Sequence, residues 1–553
     1  MDLILVGLPG SGKSVVGKRL ASRHKADFVD LDERIVEGDG RSIPDIFAED
    51  GEEAFRALER RAVTELGPAD EASNLRRVIA TGGGTVVDPR NRWSLYRDRL
   101  SVWLDGRPEV LAQRLRRSPN VRPLVTGRDP IGAIRDLAGR RERFYGAAGM
   151  RIAGVRDVAS VVEAVEARLA DDLADPDRTV GGALLRAETP IGRIVITDGD
   201  AASELHDALR RMEARRAIVV SEPCAYEAAG SAIVERLATL GWAVETVMLP
   251  QGESAKRLAV IETAAMDLAR RRVERSEPIV AIGGGALGDA AGFLAATYLR
   301  GIPVIHVPTT IVAQIDASIG GKTAVDLPEG KNLVGAFHQP SAVVIDTAAT
   351  RSLPGRHRRA ALAEAVKMAA LGDERLFDLL ESGGPAIARG DAPAWDRGLV
   401  AEMVERCAWA KVEVVMTDER ERAPGGTGRI SLNLGHSLGH AVEAAAGYGD
   451  LLHGEAVAYG LRAAARIGVA LAVTPVERAG RITGLLDRLG LGVDPLPYSV
   501  TTVMTHLAAD KKHHGGRLRW VLPTATGVEI RSDVPDSVVH DAAEAMLAAE
   551  ATR

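Results

Sequence analysis

The chain opens on an apolar run, Leu3-Ile4-Leu5-Val6, that leaves no polar position for solvent, the pattern of a strand covered on both faces. Helical spacing follows in Val15-Val16-Gly17-Lys18-Arg19-Leu20. Short apolar runs alternating with helical stretches fill residues 1–170 and recur from about 190 to 350, a rhythm that predicts parallel sheets covered by helices. Beyond Leu353-Pro354 the strand signals fade, and Ala-rich helical spacing such as Ala360-Ala361-Leu362-Ala363-Glu364-Ala365-Val366-Lys367 runs almost to the end. Between the two alternating regions, Asp171 to Gly182 is acidic, weakly apolar and carries Pro176 and Gly181. The expected organisation is an α/β chain: a phosphate-loop domain with a parallel sheet at 1–170, a linker at 171–188, a Rossmann-like α/β domain at 189–350 and a mostly α-helical domain at 351–553.

Length supports that division, since 553 residues suggest roughly three or four compact units. A net charge of -6 with 26% charged residues describes a mixed surface and argues against nucleic acid or an anionic membrane as the main partner. Two cysteines, Cys224 and Cys407, are too few for a disulfide framework and suit a reducing compartment. Met1 is followed by an acid and then by a strand that the phosphate loop requires, so no leader is expected. No apolar run is long enough to span a bilayer, and the expected location is the cytoplasm.

Chemistry enters with Gly7-Leu8-Pro9-Gly10-Ser11-Gly12-Lys13-Ser14, directly after the first strand. Gly10 and Gly12 let backbone N–H groups turn around a polyphosphate, Lys13 reaches its outer phosphates and Ser14 can sit on Mg²⁺. Phe28-Val29-Asp30-Leu31-Asp32 places two acids at alternate positions, which on a strand share a side. Arg56 on a helix and Gly82-Gly83-Gly84 after Val78-Ile79 add an anion clamp beside a flat backbone surface. With Val121-Arg122-Pro123-Leu124 and Arg141 to Tyr145, these stretches resemble shikimate kinase over essentially all of residues 1–170. The resemblance implies a P-loop kinase fold that takes ATP and Mg²⁺. It implies metal coordination by Asp30, shikimate held by Asp32, Arg56, Gly83 and Arg141, and a mobile lid bringing Arg122 over the γ-phosphate. Arg143 stands where that family tends to have a proline.

The second half is denser in reactive groups. Ile279-Val280-Ala281-Ile282 delivers Gly283-Gly284-Gly285-Ala286-Leu287-Gly288-Asp289, a turn that can admit a pyrophosphate against a helix N-terminus, although its spacing is not the usual dinucleotide signature. Lys322 and the Lys331-Asn332 pair, on glycine-bordered loops, look like a second anion site. His436 and His440 stand one helical turn apart and pair by spacing alone, with Glu364 able to supply the third ligand that a catalytic Zn²⁺ wants and Lys367 one turn further along its face.

These stretches, with Pro250-Gln251-Gly252-Glu253, Lys256, Tyr298-Leu299-Arg300-Gly301, Asp418-Glu419, His453-Gly454-Glu455 and Asp510-Lys511-Lys512, occur in the order found in 3-dehydroquinate synthase, which the chain resembles over about 190–540. The resemblance replaces the spacing-based pair with Glu364, His436 and His453 as ligands of Zn²⁺ (or Co²⁺) and leaves His440 near substrate. It implies that NAD is bound by Glu253, Lys256, Gly285, Asp289, Thr309 and Thr310, with Lys331 beside them, while Glu222 can accept ribose hydroxyls. The substrate, 3-deoxy-arabino-heptulosonate 7-phosphate, is expected to be received by Lys322, Asn332, Arg429, Asn433, one lysine of Lys511-Lys512 (Lys512 is chosen), and Arg300 from this or a neighbouring subunit. Lys367, Lys411 and Asp316 are the candidates for orientation and proton handling.

Two departures stand out: Cys224 occupies the place of an asparagine in the nucleotide site, and the stretch Glu421 to Gly428 runs long, which is expected to shift Arg429. The reading is a bifunctional enzyme of the shikimate pathway, a homodimer through its synthase part, acting on small molecules. Two alternatives stay open: a kinase fused to another sugar-phosphate cyclase, and a degenerate kinase that regulates the cyclase.

Overall fold

The computed structural model describes all residues except 69–73, 118–128, 155–156, 175–181, 421–427, 448, 514–517 and 550–553, with 117, 171–174 and 509–513 described by backbone alone. The chain forms two compact units, Met1–Thr189 with Arg193–Glu204, and Pro190–Gly192 with Leu205–Arg553. The expected linker at 171–188 is partly regular structure. Residues up to 174 complete the helix Val158–Ala174, and Leu185–Thr189 is a strand. Burial of Leu184 and Leu185 accounts for the difference, an apolar pair masked in the sequence by the acidic and glycine-rich residues before it.

In the first unit, β1 (Asp2–Val6), β2 (Asp27–Asp30), β3 (Arg77–Ala80), β4 (Leu100–Asp105) and β5 (Met150–Ala153) form a parallel sheet in the order β2-β3-β1-β4-β5. β1 is central and every one of its residues is buried, which is why its sequence shows no alternation. Leu3 and Leu5 pack with Val78, Val102 and Leu104 against Val16 and Leu20 of α1 (Lys13–His24). Because β1 and β3 are neighbours running the same way, the phosphate loop after β1 and the triple glycine after β3 emerge side by side. That is the carboxyl edge where open parallel sheets bind ligands.

In the second unit, β6 (Ala217–Ser221), β7 (Val244–Met248), β8 (Ile279–Gly283), β9 (Val304–Pro308) and β12 (Ala342–Asp346) run parallel, in the order β12-β9-β8-β6-β7. β8 feeds its glycines into a helix, Gly285–Thr297. A π-helical turn, Ala313–Ala317, follows β9, and β10 (Lys322–Leu327) then pairs antiparallel with β11 (Gly330–Phe337). The rest is mostly helical, although Trp520–Pro523 and Val528–Arg531 add a short antiparallel pair. No helix among the described residues is long and apolar enough to cross a membrane.

Three helices of this unit set up its chemistry: α2 (Gly355–Ala370), α3 (His436–Ala445) and α4 (His453–Ala470). α2 is buried at every position from Ala360 to Ala370, so Glu364 and Lys367 lie inside the core. α4 approaches its neighbours backbone to backbone. A Cβ added at Gly454 would fall 1.9 Å from the Ala360 carbonyl oxygen, and one at Gly460 would fall 1.7 Å from that of Gly435. Only residues without a side chain permit those distances.

Gly460→Ala is therefore expected to lower the stability of this unit by about 1–3 kcal/mol or more through overpacking. Gly480→Ala, in the helix Val476–Arg488 where a Cβ meets nothing within 4 Å, is expected to raise it by up to about 1 kcal/mol. Urea unfolding midpoints of the two variants, compared with the unaltered chain, check both signs.

Candidate active sites

The phosphate loop of the first unit is built around its own lysine. Gly10 and Gly12 adopt φ of +83° and +94°, and the Lys13 ammonium donates to the carbonyls of Gly7 at 2.8 Å and Leu8 at 3.2 Å. The Ser14 hydroxyl donates to Asp30 Oδ2 at 2.6 Å, so the two residues expected at Mg²⁺ already meet. Asp30 ends β2 and caps the helix Leu31–Asp39, accepting from the Asp32 N–H at 3.1 Å. Strand alternation therefore does not place Asp32. The turn from strand to helix does.

Asp32, Arg56, Gly83 and Arg141 converge on the glycine turn. A Cβ on Gly82 would lie 2.6 Å from Asp32 Oδ1, and one on Gly84 would lie 2.6 Å from the Arg56 guanidinium. Arg141 donates to the Gly83 carbonyl at 2.7 Å, and the buried Tyr145 hydroxyl donates to the same oxygen. Glu59, 1% exposed, holds Arg56 at 2.8 Å and accepts from Thr85 at 2.6 Å. Arg122 lies outside the described residues.

At the end of β8, Glu222 and Thr310 lie beside Gly284 and Thr309 beside Gly283. Glu222 accepts from the Gly252 N–H at 2.6 Å, the Thr309 N–H donates to the Gly283 carbonyl at 3.0 Å, and the Thr310 hydroxyl accepts from Ala313 at 3.2 Å. A cavity of about 750 Å³ beyond them is lined by Glu253, Lys256, Gly285, Asp289, Lys331 and Asn332. Buried Lys256 donates to Asp289 at 2.8 Å and to the Asn332 side-chain oxygen. Residues expected to serve cofactor and substrate separately thus form one polar cluster. Burial pushes the Asp289 carboxyl up to about 6 against the pull of the Lys256 ammonium.

A second cavity, of about 620 Å³, is lined by Lys322, Asn332, Lys367, Lys411, Arg429 and Asn433 together with His436, His440 and His453. Arg429 is 1% exposed and donates to the carbonyls of Gly320 at 2.9 Å and Glu419 at 2.8 Å, so it keeps its place in the wall despite the long stretch before it. Arg300 does not line either cavity. It is exposed on a turn where Leu299 and Arg300 take left-handed φ of 50° and 66°. Nothing is described of the Lys512 side chain.

The helix contacts made by α4 bring a donor set together at this cavity. His453 opens α4, whose first turn is fixed by Glu455 accepting from the Leu452 N–H at 2.9 Å. Glu364 Oε1 lies 3.3 Å from His453 Nε2 and 3.6 Å from His436 Nε2. One ring nitrogen from each of His436, His440 and His453 lies within 4.8 Å of the others. Geometry therefore brings in both His440, favoured by spacing, and His453, favoured by resemblance.

The Glu364 carboxylate is fully buried and ion-paired with Lys367 at 2.6 Å, yet neither oxygen accepts a well-directed hydrogen bond. Burial pushes His436 down to about 3, keeping it neutral as a ligand must be. For His453 burial acts the same way but is outweighed by Glu364 and Glu443, which push it up to about 10, so a cation bound beside Glu364 would displace the proton on Nε2. Imidazole nitrogens facing an under-satisfied buried carboxylate suit Zn²⁺ or Co²⁺, and the residues fit such a cation.

Beside them, Asp316 on the π-helical turn receives Lys411 at Oδ1 and Lys367 at Oδ2, the latter at 3.3 Å. Burial would raise the Asp316 carboxyl, but the two ammonium groups hold it well below the usual carboxylate range. The lysines differ. Burial pushes Lys411 below its ordinary value, whereas Lys367, between Asp316 and Glu364, is held above it despite burial. Glu443, three residues after His440 on α3, also faces this donor set, and motif reading passed it over because its partners Lys331 and His453 come from other elements.

Comparison with known proteins follows the same division. Residues 9–169 match the family model for shikimate kinase, residues 246–360 that for 3-dehydroquinate synthase N-terminal and residues 361–513 that for 3-dehydroquinate synthase C-terminal. A 3-dehydroquinate synthase from a Synechococcus species is 43% identical over 325 residues, which span 58% of this chain and 85% of that protein. Among solved structures, 2-epi-5-epi-valiolone synthase from Streptomyces hygroscopicus, with NAD⁺ and Zn²⁺ bound, is 29% identical with a TM-score of 0.56, over 64% of this chain and 96% of its own. A 2-deoxy-scyllo-inosose synthase complexed with carbaglucose-6-phosphate, NAD⁺ and Co²⁺ is 26% identical with a TM-score of 0.55, over 64% and 96%.

Asp316→Asn leaves Lys367 and Lys411 without their shared carboxylate, and is expected to destabilise the chain by about 3–5 kcal/mol. Adding Lys411→Met should restore part of that loss, because Lys367 keeps its pairing with Glu364 and the ammonium left without a carboxylate is then gone. Chemical unfolding of the single and double variants measures the difference.

Proposed function

We infer, from a chain that belongs to the 3-dehydroquinate synthase family and carries a shikimate kinase domain ahead of it, that its two sites are separate catalysts with the residue roles that follow. The protein is a bifunctional shikimate-pathway enzyme, a phosphotransferase at the front and a lyase behind. The observation that supports the assignment of roles in the synthase is the meeting of three histidines, Lys322, Asn332, Arg429 and Asn433, and the Lys367–Lys411 pair on one cavity wall.

In the kinase, Lys13 and the loop N–H groups bind the polyphosphate of ATP while Ser14 and Asp30 hold Mg²⁺. Lys13 leaves the Gly7 and Leu8 carbonyls to do so. Asp32, Arg56, Gly83 and Arg141 hold the hydroxyl and carboxylate groups of shikimate, and the product is shikimate 3-phosphate. Arg122 adds charge where it develops during transfer.

In the synthase, the reaction converts 3-deoxy-arabino-heptulosonate 7-phosphate to 3-dehydroquinate and phosphate. NAD supplies a hydride acceptor and donor, and Zn²⁺ or Co²⁺ a Lewis acid. Glu253, Lys256, Gly285, Asp289, Thr309, Thr310, Lys331 and Glu222 bind the nucleotide. Glu364, His436 and His453 hold the cation, with His440 turned to substrate. Lys322, Asn332, Arg429, Asn433 and Lys512 receive the carboxylate and phosphate of a doubly anionic substrate. Lys411, its ammonium weakened by burial, exchanges protons at Nζ, while Asp316 and Lys367 orient it. Arg300, exposed and off the cavity, serves the neighbouring subunit of a cytoplasmic homodimer.

A second reading, another sugar-phosphate cyclase behind the kinase, is favoured by the likeness to 2-epi-5-epi-valiolone synthase. The test follows phosphate release from the heptulosonate, with NAD and Zn²⁺, in parallel with shikimate-dependent ADP formation. His453→Ala is expected to lower only the first, and Lys13→Ala only the second, each by at least about 10²-fold. An unaltered chain that forms ADP but releases no phosphate from this substrate would leave the other cyclase as the reading.

A further inference from the structure

One buried carboxylate joins the donor set to the nucleotide side of the synthase site. Glu443, with a side chain 8% exposed, places Oε2 3.1 Å from His453 Nδ1 and accepts from Lys331 Nζ through Oε1 at 2.9 Å. Lys331 belongs to β11, and its ammonium also lies 3.5 Å from Glu253. The next residue, Asn332, is held in a left-handed conformation of φ 59° and accepts from Lys256, the partner of Asp289. A continuous series of contacts therefore runs from His453 through Glu443 to the hairpin and on to the nucleotide cluster.

We propose that Glu443 is a positioning residue that fixes His453 for cation binding and ties the β10–β11 hairpin to the start of α4. The inference rests on the reading of Glu364, His436 and His453 as the cation site. His453 turns Nε2 toward Glu364, so a cation held between them would take the Nε2 lone pair and leave the ring proton on Nδ1. Glu443 stands where that proton is donated. A carboxylate in this place fixes the tautomer, limits ring rotation and makes the imidazole a stronger donor. Lys331 supplies the opposite charge that lets the carboxylate remain buried. An ion pair that served only to join hairpin and helix would not need its second oxygen directed at a ring nitrogen of the donor set.

The full-length protein, stripped of metal, can be titrated with Co²⁺ in competition with a chelator while the visible absorption of the bound ion is recorded. Glu443→Ala is expected to weaken Co²⁺ binding about 10–100-fold and to shift the absorption band. Glu443→Gln, whose amide oxygen still accepts from Nδ1–H, is expected to lose less, and it carries the test if the alanine variant does not fold. Circular dichroism of the metal-free variants should match the unaltered chain. Unchanged Co²⁺ affinity and an unchanged band in a folded variant would overturn the role of Glu443 alone. Failure of the unaltered chain to bind Co²⁺ with a ligand-field band would overturn the cation-site reading beneath it.

Discussion

The backbone contact between Gly454 and Ala360 sets the geometry of the synthase site. Glu364 lies one helical turn beyond Ala360, and His453 is the residue before Gly454, so the distance between carboxylate and imidazole follows from how closely two helix backbones meet. With any side chain at 454 the helices would separate, and a donor set that tolerates errors of a few tenths of an ångström would open. The contact of Gly460 with the Gly435 carbonyl does the same for α3, which begins at His436. Two glycines of α4, facing different neighbours, thus bring residues far apart in the chain to a common point, while Glu455 caps the same helix and fixes the direction of its first turn.

Charge of alternating sign fills the space that this packing encloses. Glu364, Lys367, Asp316 and Lys411 succeed one another through contacts, and each is buried enough that its charged form depends on its neighbours. Such a chain is a weak source of stability, since desolvation consumes most of the attraction. Its effect is on acidity. Lys367 sees two carboxylates and stays an ammonium, whereas Lys411 is buried with one carboxylate and with the cations of Lys367 and Arg429 nearby, and gives up its proton more readily. Two lysines on adjoining helices are separated in acidity by surroundings alone. The π-helical turn that presents Asp316 is irregular backbone placed where the side chain has to reach both.

Legibility in the sequence followed the range of the interactions. The buried strand at Leu3 to Val6, the phosphate loop and the glycine turns could be read because each depends on neighbours within about ten residues. The direction of Asp32 could not, because it depends on where β2 ends and the next helix begins. Spacing paired His436 with His440, and only resemblance brought in His453, because spacing within one helix says nothing about a residue on the next. Glu443 escaped for a related reason: its meaning lies in Lys331 and His453, which come from two other elements. The strand Leu185–Thr189 was hidden by composition, its short apolar start following residues typical of a linker.

The two units solve the same problem, holding a multiply charged anion, by different physics. In the kinase the phosphate loop offers backbone N–H groups whose positions are fixed by left-handed glycines, so little has to be ordered when the polyphosphate arrives. In the synthase the groups proposed to meet the anion are side chains, and their order must come from elsewhere. Arg429 is held by two backbone carbonyls, whereas Lys322 is exposed at the start of β10 and is ordered by the hairpin that carries it. That hairpin is tied to the cavity through the contacts of Lys331 and Asn332 with Glu443 and Lys256. Preorganisation in the first unit is local and written in one motif. In the second it is distributed over helix packing, buried charge and hairpin contacts.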